Sequence, residues 1–281
     1  MPAAPRSSHA RANLLALATI ALWASLATLG ASLAHVPPFL LTGLGLLAGS
    51  AIALPLVRFD VRRLAVTPRA LALGVYGLFG YHFLLFTALQ LAPPVEANLV
   101  NYLWPLGIVV LAPLLLPGVR LAPAHLGAAL AGLAGAAIAI LGRGAGAESG
   151  GAGHPLAPLG FACAAGAALI WSSYSVLSRR AGAVPTSAVG AFCGATAVLA
   201  LICHLLFEQT VWPVGWQWAA VLALGLGPVG AAFYTWDYGV KRGNIQTLGA
   251  LAYAAPLLST LLLVAVGLAQ PSWTLAAACA L

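Results

Sequence analysis

Cut at its polar breaks, the chain falls into ten apolar runs, and eleven of its twelve Lys and Arg residues lie in alternate connections between them. The runs cover residues 12–34, 36–57, 70–91, 94–116, 121–141, 156–178, 185–207, 214–240, 243–267 and a last one beginning at 272. Arg6 and Arg11 precede the first run, and Arg58, Arg62, Arg63 and Arg69 follow the second. Arg120 follows the fourth, Arg179 and Arg180 the sixth, and Lys241 and Arg242 the eighth. Arg143 alone falls on the other side, beside Glu148 and His154 in the longest Gly-rich connection. A helix needs about 20 apolar residues to cross a bilayer, and cytoplasmic loops collect the basic residues. The pattern predicts an all-α membrane protein of ten transmembrane helices, with both termini on the cytoplasmic side.

Only 6% of the residues are charged, against roughly 25% in a soluble domain. So few charges cannot cover a water-facing surface, whereas lipid accepts an apolar exterior. Strand-like alternation of period two is absent, so helices are the spanning structure expected. The formal charge of +7 sits in short loops and sets orientation; it does not point to nucleic acid. Cys163, Cys193, Cys203 and Cys279 all lie in apolar runs without C-x-x-C spacing, so they read as small buried hydrophobes. Arg6 and Arg11 before an apolar run ending in Ala31-Ser-Leu-Ala34 imitate a signal peptide. The run is longer than such a segment, however, and reads as a retained first helix. The tenth run has about ten residues before Leu281, half of what a crossing needs, and reads as truncated.

The sequence also looks duplicated, with residues 1–145 as one five-helix repeat and 146–281 as the other. Leu22-Trp23-Ala24-Ser25 recurs as Ile170-Trp171-Ser172-Ser173 at an offset of 148. Gly45-x-x-x-Gly49 matches Gly190-x-x-x-Gly194, and Tyr102-x-x-Pro105-Leu106 matches Tyr253-x-x-Pro256-Leu257 at an offset of 151. A unit of five crossings forces the second copy to insert upside down. Such inverted repeats place a substrate site near the midplane between them.

Very little polarity is left inside the bilayer, which makes the remainder informative. Asn98, Asn101, Tyr102 and Pro105 stand at i, i+3, i+4 and i+7 on one face of the fourth run, and Gln246, Gly249, Tyr253 and Pro256 repeat the spacing in the ninth. Amides facing lipid are costly, so these faces should look inward. They either recognise polar ends of a solute or stabilise kinks and helix packing. Each proline removes an amide donor and frees the carbonyl one turn before it. Tyr81 and His82 lie in the middle third of the third run. An intramembrane His is a functional candidate, the alternative being a neutral imidazole bonded to a neighbouring helix. Trp23 and Trp171 occupy matching mid-run places and suit a cavity wall, with Tyr174 and Tyr234 completing an aromatic lining. Trp212, Trp216, Trp218 and Trp273 read as interfacial belt. Glu96 and Asp237 fall near helix ends, where water can reach. A carboxylate near the midplane, which a proton-driven drug antiporter would carry, is missing.

Gly225-Leu-Gly227-Pro-Val-Gly230 fits G-x-G-x-x-G, but it lies inside an apolar run with no strand before it, so close packing or a hinge is the better reading. G-x-S-x-G, H-E-x-x-H and a Walker lysine are all missing. An enzyme, a metal site and a bound cofactor are therefore not expected.

At Asn101-Tyr102-Leu103-Trp104-Pro105, and again from Gly243-Asn244-Ile245 through Tyr253 and Pro256, the chain resembles the EamA branch of the drug/metabolite transporter superfamily, most closely its YddG-type exporters. The resemblance runs from Ala12 onward. It implies ten helices in two inverted five-helix repeats and export of aromatic amino acids across the bacterial inner membrane. It also implies a central cavity lined by Tyr81, His82, Asn101, Tyr102, Trp104, Trp171, Gln246 and Tyr253. Expected substrates are aromatic amino acids or similar small solutes, moved by alternating access, with Pro105, Pro256, Gly225, Gly227 and Gly230 as bending points. The expected surroundings are lipid, with the chain as a monomer or weak homodimer. Alternatives are a broader drug or metabolite exporter of the same superfamily, with proton coupling left open through His82, an intramembrane enzyme and a scaffold or receptor subunit.

Overall fold

Local sequence chemistry sets where each helix begins and breaks. The computed structural model describes residues 6–144, 155–270 and 273–280, and all regular structure among them is helical. Nine helices there are long and apolar enough to cross a membrane: Arg11–Ala31, Pro38–Leu56, Pro68–Leu91, Pro94–Leu115, Pro123–Ile140, Ala157–Arg180, Ala188–Phe207, Gln217–Arg242 and Ile245–Ala265. They are called spans one to nine. A tenth helix, Trp273–Ala280, has 8 residues. Glu148, His154 and the boundary between residues 145 and 146 lie outside the described residues.

Spans two to five each open on a proline, whose fixed φ suits the first turn and whose missing N–H costs nothing there. The Thr67 hydroxyl accepts from the Ala70 amide at 3.3 Å at the start of span three. Asn244 Oδ1 accepts from the Gln246 and Thr247 amides at 3.1 and 3.2 Å at the start of span nine. Span two is capped from outside its own sequence. Glu208, just past span seven, accepts from the Phe39 and Leu40 amides at 2.9 and 3.2 Å.

Spans one and two break at Ser25 and Ile52, and four further interruptions form two matched pairs. Span four breaks between Pro94–Asn101 and Trp104–Leu115, and span nine between Ile245–Leu251 and Ala254–Ala265. Pro105 and Pro256 each lie one turn beyond the break, where the ring clashes with the carbonyl four residues earlier. Spans three and eight contain π-helical turns at Tyr76–Gly80 and Gly227–Ala231. Both kinds of interruption recur at the offset of 151 seen in the sequence motif.

The two parts of the chain interdigitate. Span two packs on seven, three on six, one on eight, four on six and nine, and five on the tenth helix. In lipid, close van der Waals contact between small residues holds helices together. Gly45 and Gly49 of span two meet Gly225 and Gly230 of span eight almost backbone to backbone. A Cβ on Gly49 would lie 2.9 Å from Gly230 Cα, and one on Gly225 would lie 2.6 Å from the Gly45 carbonyl. Gly190 of span seven sits against Ala53 of span two. Both G-x-x-x-G pairs thus find partners inside this chain.

Candidate functional site

Between spans one, three, four, six, eight and nine lies a cavity of about 220 Å³. A single water needs only ~10–15 Å³ of such space, so the cavity has room for a small organic solute. Its wall is Trp23 and Leu26 from span one, Tyr81, His82 and Leu85 from span three, and Asn98, Asn101, Tyr102 and Trp104 from span four. Trp171 comes from span six, Pro228, Val229 and Phe233 from span eight, and Ala255 from span nine. None of these lining residues is Asp, Glu, Lys or Arg. They sit at mid-span and toward the span ends away from the basic loops.

Rings form the body of the wall. The Trp23 ring centroid is 5.7 Å from Trp104 and 5.8 Å from Trp171, both edge-on. Trp171 is 5.3 Å from Tyr81 and 5.6 Å from Phe233. Edge-to-face rings at this spacing hold one another while leaving faces open. Trp236 packs behind the wall on the side of the basic loops, 5.1 Å from Trp23 and 5.8 Å from Trp104. Its indole N–H donates to the Ser175 hydroxyl at 3.0 Å.

Two polar groups stand out in this wall. Asn101 Nδ2 donates to the Tyr81 hydroxyl at 3.2 Å, while its buried Oδ1 has no partner among the described residues. His82 Nδ1 lies 2.7 Å from the Leu78 carbonyl within the π-helical turn. A carbonyl only accepts, so Nδ1 carries the hydrogen and Nε2 is the nitrogen left for other partners.

Of the residues singled out by sequence, Trp23, Tyr81, His82, Asn98, Asn101, Tyr102, Trp104 and Trp171 come together around the cavity. Tyr174, Tyr234, Gln246 and Tyr253 do not line it. Tyr174 stacks behind Trp171 at 5.5 Å and lies over Gly77. The Tyr234 hydroxyl donates to the Gly49 carbonyl at 3.0 Å. Gln246 Nε2 donates to the Val109 carbonyl at 3.4 Å, and the Tyr253 hydroxyl accepts from the Leu106 amide at 3.2 Å. These four tie the halves of the chain together. The sequence reading left out Phe233, Val229 and Pro228, and also the supporting Trp236. Apolar content alone does not separate a cavity wall from packing.

Asp237 differs from the expectation of a water-accessible acid. It is 2% exposed and accepts from Ser178 Oγ and Thr186 Oγ1, both at 2.8 Å. Lys241 Nζ lies 2.8 Å from Asp237 Oδ1. One turn from a helix end proved deep enough for burial, because span six and the Pro185–Thr186 turn cover it. Next to it the Arg179 guanidinium donates to the Val240 and Gly243 carbonyls. These bonds tie span six and the turn after it to span eight at the end of the molecule that carries the basic loops.

The EamA-like transporter family matches the chain twice, over residues 10–141 and 158–281. The chain belongs to that family. A curated relative, the aromatic amino acid exporter YddG of Ancylobacter novellus, is 52% identical over 278 residues, covering 98% of this chain and 95% of the relative. A solved crystal structure superposes with a TM-score of 0.90 at 50% identity, over 97% of this chain and 94% of that one. An EamA-family protein is a membrane transporter, not an enzyme. Its double match lies either side of the connection at which the sequence duplication was drawn.

Proposed function

We propose that this EamA-family protein exports aromatic amino acids and related small metabolites across the bacterial inner membrane by alternating access. The observation that carries the reading is the mid-span cavity, walled by tryptophan, tyrosine, histidine and asparagine and free of fixed charge. Aromatic faces suit an aryl ring, while amides and hydroxyls suit the polar ends of an amino acid. The name of the 52% identical relative supports the same substrate class. In this reading residues 1–145 and 146–281 are inverted repeats and the N-terminus is cytoplasmic. The cavity then faces the periplasm, and Trp236 with the Asp237 cluster closes the cytoplasmic end. The breaks at Tyr102 and Tyr253, one turn before Pro105 and Pro256, and the two π-helical turns are where the lining spans bend. Gly227 opens the second of those turns, whereas Gly225 and Gly230 hold it against span two.

The test is counterflow of labelled tryptophan into proteoliposomes, with phenylalanine and tyrosine as competitors. Flux is expected in the parent chain and is expected to fall at least tenfold in Trp171→Ala, which removes the ring touching Trp23, Tyr81, Tyr174 and Phe233. Absence of tryptophan flux in well-folded parent protein would refute the aromatic reading. Flux of unrelated cations in its place would favour a broader drug exporter.

A further inference from the structure

The cavity treats the two ends of an amino acid unequally. An ammonium group finds tryptophan faces, which attract cations, and the amide oxygens of Asn98 and Asn101. A carboxylate finds no cationic residue in the wall, and a carboxylate taken from water without a charged or strongly hydrogen-bonded partner is costly. Only one lining side chain can become positive, and that is His82.

His82 is prepared for this role by the π-helical turn beneath it. Nδ1–H is held on the Leu78 carbonyl at 2.7 Å, so a second proton can go only to Nε2 and the ring need not turn. The other titratable groups facing it are Tyr81 of the same span, with ring centroids 5.3 Å apart, and Tyr102 of span four. Span eight offers Phe233 at 6.2 Å. Spans one, six and nine bring no titratable group to the wall. Glu96, the acid on span four, is exposed and outside it. Among the described residues no carboxylate therefore competes for the imidazolium.

Resting on the exporter reading above, we infer that His82 is the carboxylate-selecting residue: an aromatic amino acid binds with uptake of one proton onto His82 Nε2, and the imidazolium pairs with its carboxylate. The proton comes from bulk water and returns there when the substrate leaves. A charge-assisted bond of this kind is roughly twice as strong as a neutral one. The sign follows from linkage. The complex holds a proton that the free protein lacks above the ordinary histidine range, so affinity is highest at low pH and falls as the pH rises. The steepest loss is about tenfold per pH unit. An arylalkylamine without a carboxylate makes no such demand.

The test is calorimetric titration of the full chain in lipid nanodiscs with tryptophan and with tryptamine, at about pH 7.5, above the ordinary histidine value of ~6.5. Buffers of different ionisation enthalpy report the protons exchanged. The expected result is uptake approaching one proton per tryptophan and none per tryptamine. His82→Gln should abolish the uptake and weaken tryptophan while leaving tryptamine in place. Should that variant not fold, the contrast between the two ligands on the parent protein decides. Tryptophan binding without proton uptake, equal uptake with tryptamine, or uptake that survives His82→Gln would each overturn the inference. Tryptophan flux with no proton uptake would leave the exporter reading standing. Absence of both binding and flux would remove both.

Discussion

Removing the Asp237 carboxylate should cost this protein more than any surface change, and the structure says how much. Asp237 and Lys241 side chains are 2% and 5% exposed. The carboxylate takes hydrogen bonds from Ser178, Thr186 and Lys241, and among the described residues the ammonium has one further partner, the Val184 carbonyl at 2.8 Å. Asp237→Ala therefore leaves a buried cation with half its partners and two hydroxyls without an acceptor. Breaking one side of a buried ion pair costs about 3–5 kcal/mol. Lys241→Met should cost a similar amount, because it strands the carboxylate instead. The double change Asp237→Ala with Lys241→Met removes both charges, and the Ser178 hydroxyl can turn to a carbonyl of its own helix. It should therefore cost clearly less than the two single changes added together. Equilibrium unfolding in mixed micelles measures all four corners of this cycle. Single changes costing under about 1 kcal/mol, or a double change equal to the sum of the singles, would refute the claim that these groups stabilise each other.

Two further outcomes follow from packing and capping. Gly230→Ala would place a Cβ 2.1 Å from the Gly225 carbonyl and 2.8 Å from Gly49 Cα; size-exclusion profiles should show loss of monodisperse protein, whereas Gly127→Ala, with nothing near its would-be Cβ, should behave as the parent. Glu208→Ala removes the cap on span two and the partner of His204, whose Nδ1 lies 2.8 Å from Glu208 Oε2; a thermal melt should report a loss of about 1–2 kcal/mol, and a smaller one for Glu208→Gln, which keeps one acceptor oxygen.

Much of this fold was written in local chemistry. Apolar length set the spans, prolines at first turns set their starts, and Pro105 and Pro256 set the breaks one turn upstream. These are short-range effects, which is why a single sequence carries them. The lining of span eight was not legible, for an equally physical reason. The π-helical turn at Gly227–Ala231 inserts an extra residue into the helix, and counting by three and four across it points to the wrong face. Tyr234 was expected toward the solute, yet it bonds the Gly49 carbonyl, while Phe233 faces the cavity. Asp237 escaped recognition because its partners Ser178 and Thr186 lie 59 and 51 residues away in sequence. Asn98 and Asn101 fell together because they precede the break in span four, Tyr81 and His82 because both follow the π-helical turn of span three, and Trp171 because span six is uninterrupted.

The matched interruptions are packed differently, and that difference bears on how such a molecule moves. In span eight the π-helical turn is pressed against span two through Gly225, Gly230, Gly45 and Gly49, with backbone meeting backbone. In span three the corresponding turn meets rings instead. Phe192 covers Gly74, and Tyr174 covers Gly77, within 2.3 Å of where a Cβ would be. A backbone contact between glycines has no side chain to rearrange, whereas a ring can change rotamer and release the turn it covers. One device therefore exists here in a tightly held form and in a ring-covered form. In the proposed alternating access between inverted repeats the two forms must differ, since a single shape shared by both halves would open both ends of the cavity or neither. In the proposed cycle, span three is the element freed by movement of Tyr174 and Phe192. Tyr174 also backs Trp171, at 5.5 Å, so a substrate ring that displaces Trp171 pushes directly on the group holding that turn.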